Sequence, residues 1–200
     1  MTNAGFVTAA AVVLAAGGSR RLGQPKQLLA LDGAPLLDAA LAVARQSGCE
    51  PVIVVLGGAA DLIRSEVDLS GVEVVENEEY ADGCATSIRS ALAALPEETH
   101  GIVLLLGDQP RVRIETIAAL RLSARGHAVG VCEYDDGLGH PLWFDRQMFG
   151  ALEAMHGDKA VWKLVDAGPE ADVFRVRIAG SVPRDVDTWG DYEALLEEQP

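Results

Sequence analysis

Short apolar runs alternate with amphipathic segments along almost the whole chain of 200 residues. The apolar runs are rich in valine, isoleucine and leucine and are only five to seven residues long, which is typical of strands buried in a parallel sheet. Strands are predicted at residues 10–14, 51–56, 72–76, 101–107, 128–134 and 172–178.

Segments with helical periodicity stand between most of these strands. In the first of them, the leucines and alanines at positions 36, 37, 40, 41 and 44 share one helical face. This alternation predicts an α/β fold with a mostly parallel central sheet and right-handed crossovers. No repeat or linker interrupts it, so residues 1–200 are predicted to form a single domain. Helices are predicted over residues 35–46, 59–67, 88–95, 114–124, 144–155, 156–165 and 189–196.

A glycine-containing basic loop follows the first strand. The side chains from Ala15 to Ser19 are small or absent, so backbone N–H groups can approach an anion closely. Arg20, Arg21 and Lys26 add positive charge to the same loop. It is not a P-loop, because Gln24 stands where that motif requires lysine, and the dinucleotide pattern G-x-G-x-x-G is absent. The sequence therefore predicts a phosphate-binding loop of another kind.

Polar residues follow other predicted strands, at the edge where α/β sheets bind ligands. Asp108 follows the strand at 101–107 and is suited to Mg²⁺, which favours one or two carboxylates together with phosphate oxygens. A plain turn is the alternative reading of Asp108. Helix capping by Thr86 or Ser87 is the alternative for the segment 77–87, and capping by Thr188 is the alternative for the segment before the last helix. From Asp135 a polar glycine loop is predicted to lead to an apolar strand.

Composition restricts the function classes. With 16 basic and 30 acidic residues the formal net charge is −14, which disfavours non-specific binding to nucleic acid or to an anionic membrane. No apolar run approaches the roughly 20 residues of a membrane span. Cys49, Cys84 and Cys132 lack C-x-x-C spacing and are expected to be buried free thiols. These features lead us to expect a cytoplasmic protein.

The basic loop resembles the signature L-A-A-G-x-S-x-R-M-G-x-x-K of the molybdenum cofactor cytidylyltransferase family, within the MobA-like NTP transferase superfamily. The resemblance extends to about Tyr192 and implies a three-layer, Rossmann-like nucleotidyltransferase domain. Leu22 replaces the methionine of the signature. The matching residues are Leu14, Ala15, Ala16, Gly17, Ser19, Arg21, Gly23 and Lys26.

The resemblance also implies roles for individual residues. Arg21, Lys26 and Asp108 would be catalytic, and Asp108 and Asp187 would hold Mg²⁺, or Mn²⁺ in its place. His140, Asp158 and Lys159 would lie near the acceptor, although His140 can equally be a hydrogen-bonded structural residue and Asp158 a helix cap. The nucleotide-binding residues implied are Leu14, Ala15, Ala16, Gly17, Gly18, Ser19, Arg21, Lys26, Asn77, Gly83 and Ser87.

The activity implied is transfer of CMP from CTP to molybdopterin or molybdenum cofactor, with release of pyrophosphate. The L-A-A-G form of the loop is associated with cytidine transfer and L-A-G-G with guanosine transfer, and Ala16 gives this chain the first form. The turn L-G-D-Q-P at Asp108 resembles the same branch. Three alternatives remain: a methylerythritol-phosphate cytidylyltransferase, a sugar-phosphate nucleotidyltransferase, and a non-catalytic nucleotide-binding chaperone of a molybdenum enzyme. A molybdenum enzyme or its chaperone is also an expected partner.

Overall fold

The computed structural model describes residues 8–157, 160–166 and 172–198. Within them, short strands alternate with helices from β1 to α7. The strands are β1 (Ala9–Leu14), β2 (Ala30–Leu31), β3 (Ala34–Pro35), β4 (Val52–Leu56), β5 (Glu73–Glu76), β6 (Gly101–Leu106), β7 (Val129–Tyr134), β8 (Gly137–Asp145) and β9 (Val173–Arg177). The helices are α1 (Leu36–Gln46), α2 (Ala60–Glu66), α3 (Cys84–Ala94), α4 (Ile114–Ser123), α5 (Phe149–Glu153), α6 (Ala160–Val165) and α7 (Trp189–Glu197).

In the described part of the chain, seven strands form one sheet in the order β5-β4-β1-β6-β8-β7-β9, and β2 pairs with β3 in a separate hairpin. The interior strand β8 runs antiparallel to both of its neighbours, while every other pairing in the large sheet is parallel. The carboxyl ends of β1, β4, β5 and β6 therefore meet at one edge. This confirms the mostly parallel α/β architecture.

Apolar side chains alternate between the two faces of the sheet. From β1, Ala11 and Val13 face a core cluster built with α1, α2 and α4, whereas Val12 faces a second cluster built with α3, α5 and α6. Each face buries its own apolar layer, so β1 is buried on both sides and reads as a continuous apolar run. The result is three layers, helices on each side of one sheet.

A third apolar cluster lies beside the basic loop. It joins Leu22 of that loop and Leu31 of the small hairpin to Val186 and Leu195 from the C-terminal segment. Helix α7 begins with a capping box in which Thr188 and Asp191 exchange hydrogen bonds. This packing brings the segment before α7, with Asp187, next to a loop more than a hundred and fifty residues earlier in the chain.

The structure corrects two predicted elements and the predicted burial of one cysteine. The polar loop predicted from Asp135 is a tight turn, so that β8, the apolar strand predicted after it, already begins at Gly137, and the predicted helix at 144–155 is shorter. Phe144 belongs to β8 because it pairs with Ile102 and Val129 on its two sides, and α5 begins only at Phe149. Tertiary pairing has overridden local helical propensity here. Cys84, expected in the core, is half-buried at the start of α3.

Strand β8 contains a bulge at its middle. The register with β7 shifts between Leu142 and Gly139, which leaves His140 and Pro141 outside the ladder. Pro141 has no N–H to donate, so an interior strand accommodates it at such a bulge. None of the described helices is long and apolar enough to cross a membrane.

Candidate active site

The basic loop is closed by Ser19. Its backbone lies in the left-handed region with φ of 46°, and its Oγ accepts a hydrogen bond of 2.9 Å from the backbone N–H of Lys26. The backbone N–H of Leu22 donates to the Ser19 carbonyl at 3.0 Å. Ser19 therefore ties the two ends of the loop together and fixes where Lys26 begins its short 3-10 turn.

Gln27 holds the loop from beneath, a role that the sequence did not reveal. Its buried amide Nε2 donates to the carbonyls of Ala15 at 2.6 Å and Gly17 at 3.2 Å. Two carbonyl acceptors require the NH₂ group on that side, so the amide orientation is determined. The Oε1 of Gln27 is also buried and has no partner in the described residues. The available sequence signal was a lone glutamine in the apolar stretch that follows Lys26.

A cavity of about 210 Å³ opens at the carboxyl ends of β1 and β6. The small residues of the loop form one side of it and the N-terminal turn of α3 forms another. Most of the residues predicted to bind nucleotide therefore share one cavity. Its lining consists of Leu14, Ala15, Ala16, Gly17, Lys26, Gln27, Tyr80, Gly83, Cys84, Ser87, Leu106, Gly107 and Asp108.

Asn77 lies outside that lining and supports it. The buried Asn77 amide donates to Thr86 Oγ1 at 2.8 Å and to Ser87 Oγ at 2.9 Å, and its Oδ1 accepts from the N–H of Glu79. Helix α3 begins at Cys84 with Gly83 as its N-cap, at a φ of 106° that favours glycine. Thr86 and Ser87 are therefore inside the first turns of α3, and neither caps it.

A neighbouring cleft of about 420 Å³ carries the charged part of the site. It shares Gly17, Lys26 and Tyr80 with the first cavity, so the two spaces adjoin at these residues. Apart from Lys26 and Asp108 at the junction, the first cavity is lined by uncharged residues, and such a cavity next to a basic cleft suits a nucleoside linked to phosphates. The lining of the cleft consists of Gly17, Gly18, Ser19, Arg20, Arg21, Lys26, Tyr80, Ala81 and Asp187.

Lys26 lies between two carboxylates at this junction. Its Nζ is 2.5 Å from Oδ2 of Asp108 and 2.8 Å from Oδ1 of Asp187. Burial by itself lowers the pKa of Lys26, but attraction to Asp108 and hydrogen bonds to both carboxylates outweigh it, so the pKa is raised. Lys26 is thus a protonated cation at neutral pH.

A backbone link connects the two aspartates. The N–H of Val186 donates to the carbonyl of Asp108 at 3.1 Å. Next to it, the buried Gln109 amide donates to Asp185 Oδ1 at 2.7 Å and to the Pro183 carbonyl at 3.1 Å. Burial, and next the charge of Asp108, raise the pKa of Asp185. Gln109 therefore fastens the segment that carries Asp187 to the end of β6.

The two aspartates fit a hard divalent cation. Both offer carboxylate oxygens to the same point, now occupied by the Lys26 ammonium group. The described residues contain no cluster of three or more His, Cys, Asp or Glu side chains able to hold a metal. A cation bound by Asp108 and Asp187 would thus complete its shell with phosphate oxygens and water, which is the usual arrangement for Mg²⁺.

The two arginines of the loop, Arg20 and Arg21, both line the cleft, and Arg21 forms a long ion pair with Asp187. The guanidinium of Arg21 is 3.9 Å from Asp187 with 73% of its side chain exposed, and both Arg20 and Arg21 line the cleft. An exposed pair of this kind contributes little to stability. Arg21 is therefore available to an anionic ligand.

Of the predicted acceptor residues, the structure describes His140 and does not bring it to this cleft. His140 is buried in the bulge of β8, with its ring edge-on to Trp162 at 5.4 Å between centroids, and it lines neither cavity. Burial lowers the pKa of His140 to about 4, so it is neutral at pH 7. Asp158 and Lys159 lie outside the described residues.

Comparison with known proteins places these features in one family. Residues 11–173 match the MobA-like NTP transferase domain. The nicotine blue oxidoreductase of Paenarthrobacter nicotinovorans is 31% identical over 142 residues, which is 67% of this chain and 69% of that protein. The bifunctional protein GlmU of Syntrophotalea carbinolica is 35% identical over 140 residues, 68% of this chain but only 30% of that protein.

Solved structures agree with the fold. A homologue of Mycobacterium tuberculosis Rv0371c from Mycobacterium sp. strain JC1 matches with a TM-score of 0.90 and 48% identity, covering 95% of this chain and 96% of that one. Rv0371c in complex with manganese matches with a TM-score of 0.88 and 45% identity, covering 96% of this chain and 100% of that one.

Proposed function

The chain belongs to the MobA-like NTP transferase family and is a nucleotidyltransferase by that relationship; we propose that it transfers CMP from CTP to molybdopterin or molybdenum cofactor and releases pyrophosphate. We further propose that the reaction depends on Mg²⁺, or on Mn²⁺ in its place. The proposal of CTP as donor and of molybdopterin as acceptor rests on the L-A-A-G form of the loop and on the turn around Asp108.

One observation carries the proposal. Lys26 lies between Asp108 and Asp187 at the junction of a cavity that suits a nucleoside and a basic cleft that suits phosphates. Nucleotidyl transfer needs positive charge and metal-binding carboxylates at the point where the α-phosphate would lie, and it needs no nucleophilic side chain. The three residues supply that combination.

The chemistry follows from these positions. A phosphate oxygen of the acceptor attacks the α-phosphorus of CTP, a new P–O bond forms, the bond to the β-phosphate oxygen breaks, and pyrophosphate leaves. Lys26 and Arg21 neutralise the charge that accumulates on the phosphates, and the loop amides hold them in position. A divalent cation held by Asp108 and Asp187 would supply further charge neutralisation.

A related protein supports the choice of metal. Rv0371c, 45% identical to this chain, has been crystallised in complex with manganese. Carboxylate and phosphate oxygens bind Mg²⁺ and Mn²⁺ alike, so both ions are candidates. We expect the metal-free protein to keep Lys26 paired with both aspartates, because the ammonium group offsets the repulsion between the two carboxylates.

The decisive experiment measures pyrophosphate release with each of the four NTPs, with and without molybdopterin. We expect release with CTP and molybdopterin, and its loss when EDTA removes divalent metal. Methylerythritol phosphate and a panel of sugar phosphates are the competing acceptors. Turnover with one of them and not with molybdopterin would reassign the acceptor, and tight CTP binding without turnover on any acceptor would favour the chaperone.

A separate pull-down with a purified molybdenum enzyme or its chaperone tests whether this protein binds either partner.

A second candidate is an oxidoreductase, because the relative of 31% identity is named nicotine blue oxidoreductase. The same purified protein can be assayed spectrophotometrically for conversion of nicotine blue. Conversion by the wild type that survives in Asp108→Asn, with no pyrophosphate release by either protein, would favour the oxidoreductase over the transferase.

A further inference from the structure

The side chain of Tyr80 lies against the two glycines that follow β4. A Cβ added to Gly57 would lie 2.8 Å from the ring carbon Cγ, and one added to Gly58 would meet the hydroxyl oxygen and lie 2.6 Å from Cζ. Neither glycine has a left-handed backbone, so another residue could adopt these conformations. Glycine is needed at both positions because of space, which Tyr80 occupies at Gly58 and which Tyr80 and the Ala16 carbonyl occupy together at Gly57.

The opposite edge of the ring faces the phosphate loop. A Cβ added to Gly18 would be 3.7 Å from Cε2 of Tyr80, which is ordinary van der Waals contact. A Cβ on Gly57 would also meet the carbonyl oxygen of Ala16 at 2.5 Å, so the turn after β4 and the loop after β1 touch at the same place. The ring is thus held between the two loops that meet at the carboxyl edge of the sheet.

Tyr80 also lines both the nucleoside cavity and the basic cleft. It lines the 210 Å³ cavity and the 420 Å³ cleft, together with Gly17 and Lys26. The hydroxyl of Tyr80 lies at Gly58, because it is the first atom that a Cβ added to Gly58 would meet. The ring carbons are therefore what Tyr80 presents on the side of Gly18 and the junction.

We propose that Tyr80 contacts the bound nucleotide where its sugar meets its phosphates, and that Gly57 and Gly58 set the position of the ring for this contact. The proposal rests on the proposed function, since it names a further residue of the same nucleotide site. The ring keeps the sugar and the α-phosphate beside Lys26, and a displaced ring would enter the space that the nucleotide needs. Tyr80 and the glycines then act as one unit.

Substitution of Gly58 distinguishes a role of Tyr80 in nucleotide binding from a purely structural role of Tyr80. Gly58→Ala pushes the ring towards the cavity, and the same substitution is harmless once the ring is gone. We expect Gly58→Ala to raise the dissociation constant for CTP about tenfold in the wild-type background and less than about twofold in a Tyr80→Ala background. Tyr80→Ala alone should raise the KM for CTP about tenfold with a smaller change in kcat, and Tyr80→Phe should restore wild-type values.

The experiment is equilibrium titration of each purified variant with CTP and Mg²⁺, followed by pyrophosphate release, with circular dichroism and urea unfolding as fold controls. Equal effects of Gly58→Ala in both backgrounds, or an unchanged CTP affinity in a folded Tyr80→Ala protein, would overturn the proposal. If the wild type itself binds neither CTP nor another NTP, the proposed function fails first. The two failures are therefore distinguishable. Gly150→Ala, at an exposed position where an added Cβ meets nothing within 4 Å and the backbone is not left-handed, is the control for a glycine change that displaces no neighbour.

Discussion

The Nζ of Lys26 lies 2.5 Å from Oδ2 of Asp108, although 82 positions separate the two residues in the chain. Only 12% of the Lys26 side chain and 18% of the Asp108 side chain are exposed. The cost of withdrawing such a pair from water is offset only by close contacts and further hydrogen bonds, and Lys26 has a second carboxylate partner in Asp187. Its position at the ends of β1 and β6 is what connects the fold to the proposed chemistry.

Asp108→Asn should abolish most turnover while leaving the fold nearly intact, because the change removes a metal-binding charge with little change in volume. We expect a loss of about 10²–10³-fold in kcat or more. Asp187→Asn should cause a smaller loss in kcat, since the Asp187 side chain is 51% exposed and lies at the edge of the site. Pyrophosphate release across a Mg²⁺ titration measures both. Near-normal activity of Asp108→Asn at saturating Mg²⁺ would remove this residue from the catalytic set.

Lys26→Met should raise the KM for the triphosphate and lower kcat, since it removes a point charge from a loop whose backbone amides cannot replace it. Arg20→Met is the matched control, because Arg20 is an exposed cation of the same loop at the variable position of the signature. Steady-state kinetics with CTP should show a loss at least tenfold larger for Lys26→Met, equivalent to about 1.4 kcal/mol. Equal losses at the two positions would contradict the assigned role of Lys26.

Gln27→Met should destabilise the protein and weaken nucleotide binding, because the carbonyls of Ala15 and Gly17 lose their donor inside the protein. An unpaired buried polar group costs about 1–3 kcal/mol. Urea unfolding and CTP titration test the two effects. Gln24→Met, at an exposed position of the same loop, should change neither. A Gln27→Met protein with wild-type stability and CTP affinity would show that Gln27 does not hold the loop.

Ala16→Gly should increase the use of GTP relative to CTP. Ala16 lines the nucleoside cavity, and its methyl group narrows the floor and limits the backbone conformations that can present N–H and C=O groups to a base. One residue carries only part of such discrimination, because the hydrogen bonds left unpaired by a wrong base contribute the rest. The ratio of kcat/KM for CTP and GTP, with one acceptor, is the measurement. If kcat/KM of the wild type for CTP is equal to or lower than that for GTP, the predicted preference for CTP is wrong.

Acid should destabilise the protein through His140. Burial lowers its folded-state pKa from 6.5 to about 4, so the unfolded chain binds a proton that the folded chain does not in this range. Stability is therefore greatest above pH 6.5 and falls as the pH drops towards 4, by about 3 kcal/mol from this group. His140→Phe should remove that part of the pH dependence. Urea unfolding of both proteins at pH 7, 5 and 4 tests it, and parallel curves would show that His140 does not contribute.

Local sequence determined much of the architecture. The apolar runs predict strands, and the face predicted for the first helix is buried as expected at Leu36, Leu37, Ala40, Leu41 and Ala44. Both signals arise from the periodicities of strand and helix, which depend only on neighbours in the chain. Where pairing with distant strands determines the secondary structure, as at Phe144 in β8, the local pattern predicted the wrong element.

The sequence by itself also determined which residues make the loop a candidate for phosphate binding, because small side chains and cations within a few positions are visible without a fold. Only the tertiary structure decided that Lys26 lies between Asp108 and Asp187, that Gln27 holds two carbonyls of the loop, and that His140 is buried away from the cleft. These relationships depend on how the carboxyl ends of the strands converge and on the apolar cluster that carries the segment before α7 back to the loop. Distances of this kind are set by packing between residues far apart in the chain, and no local pattern encodes them.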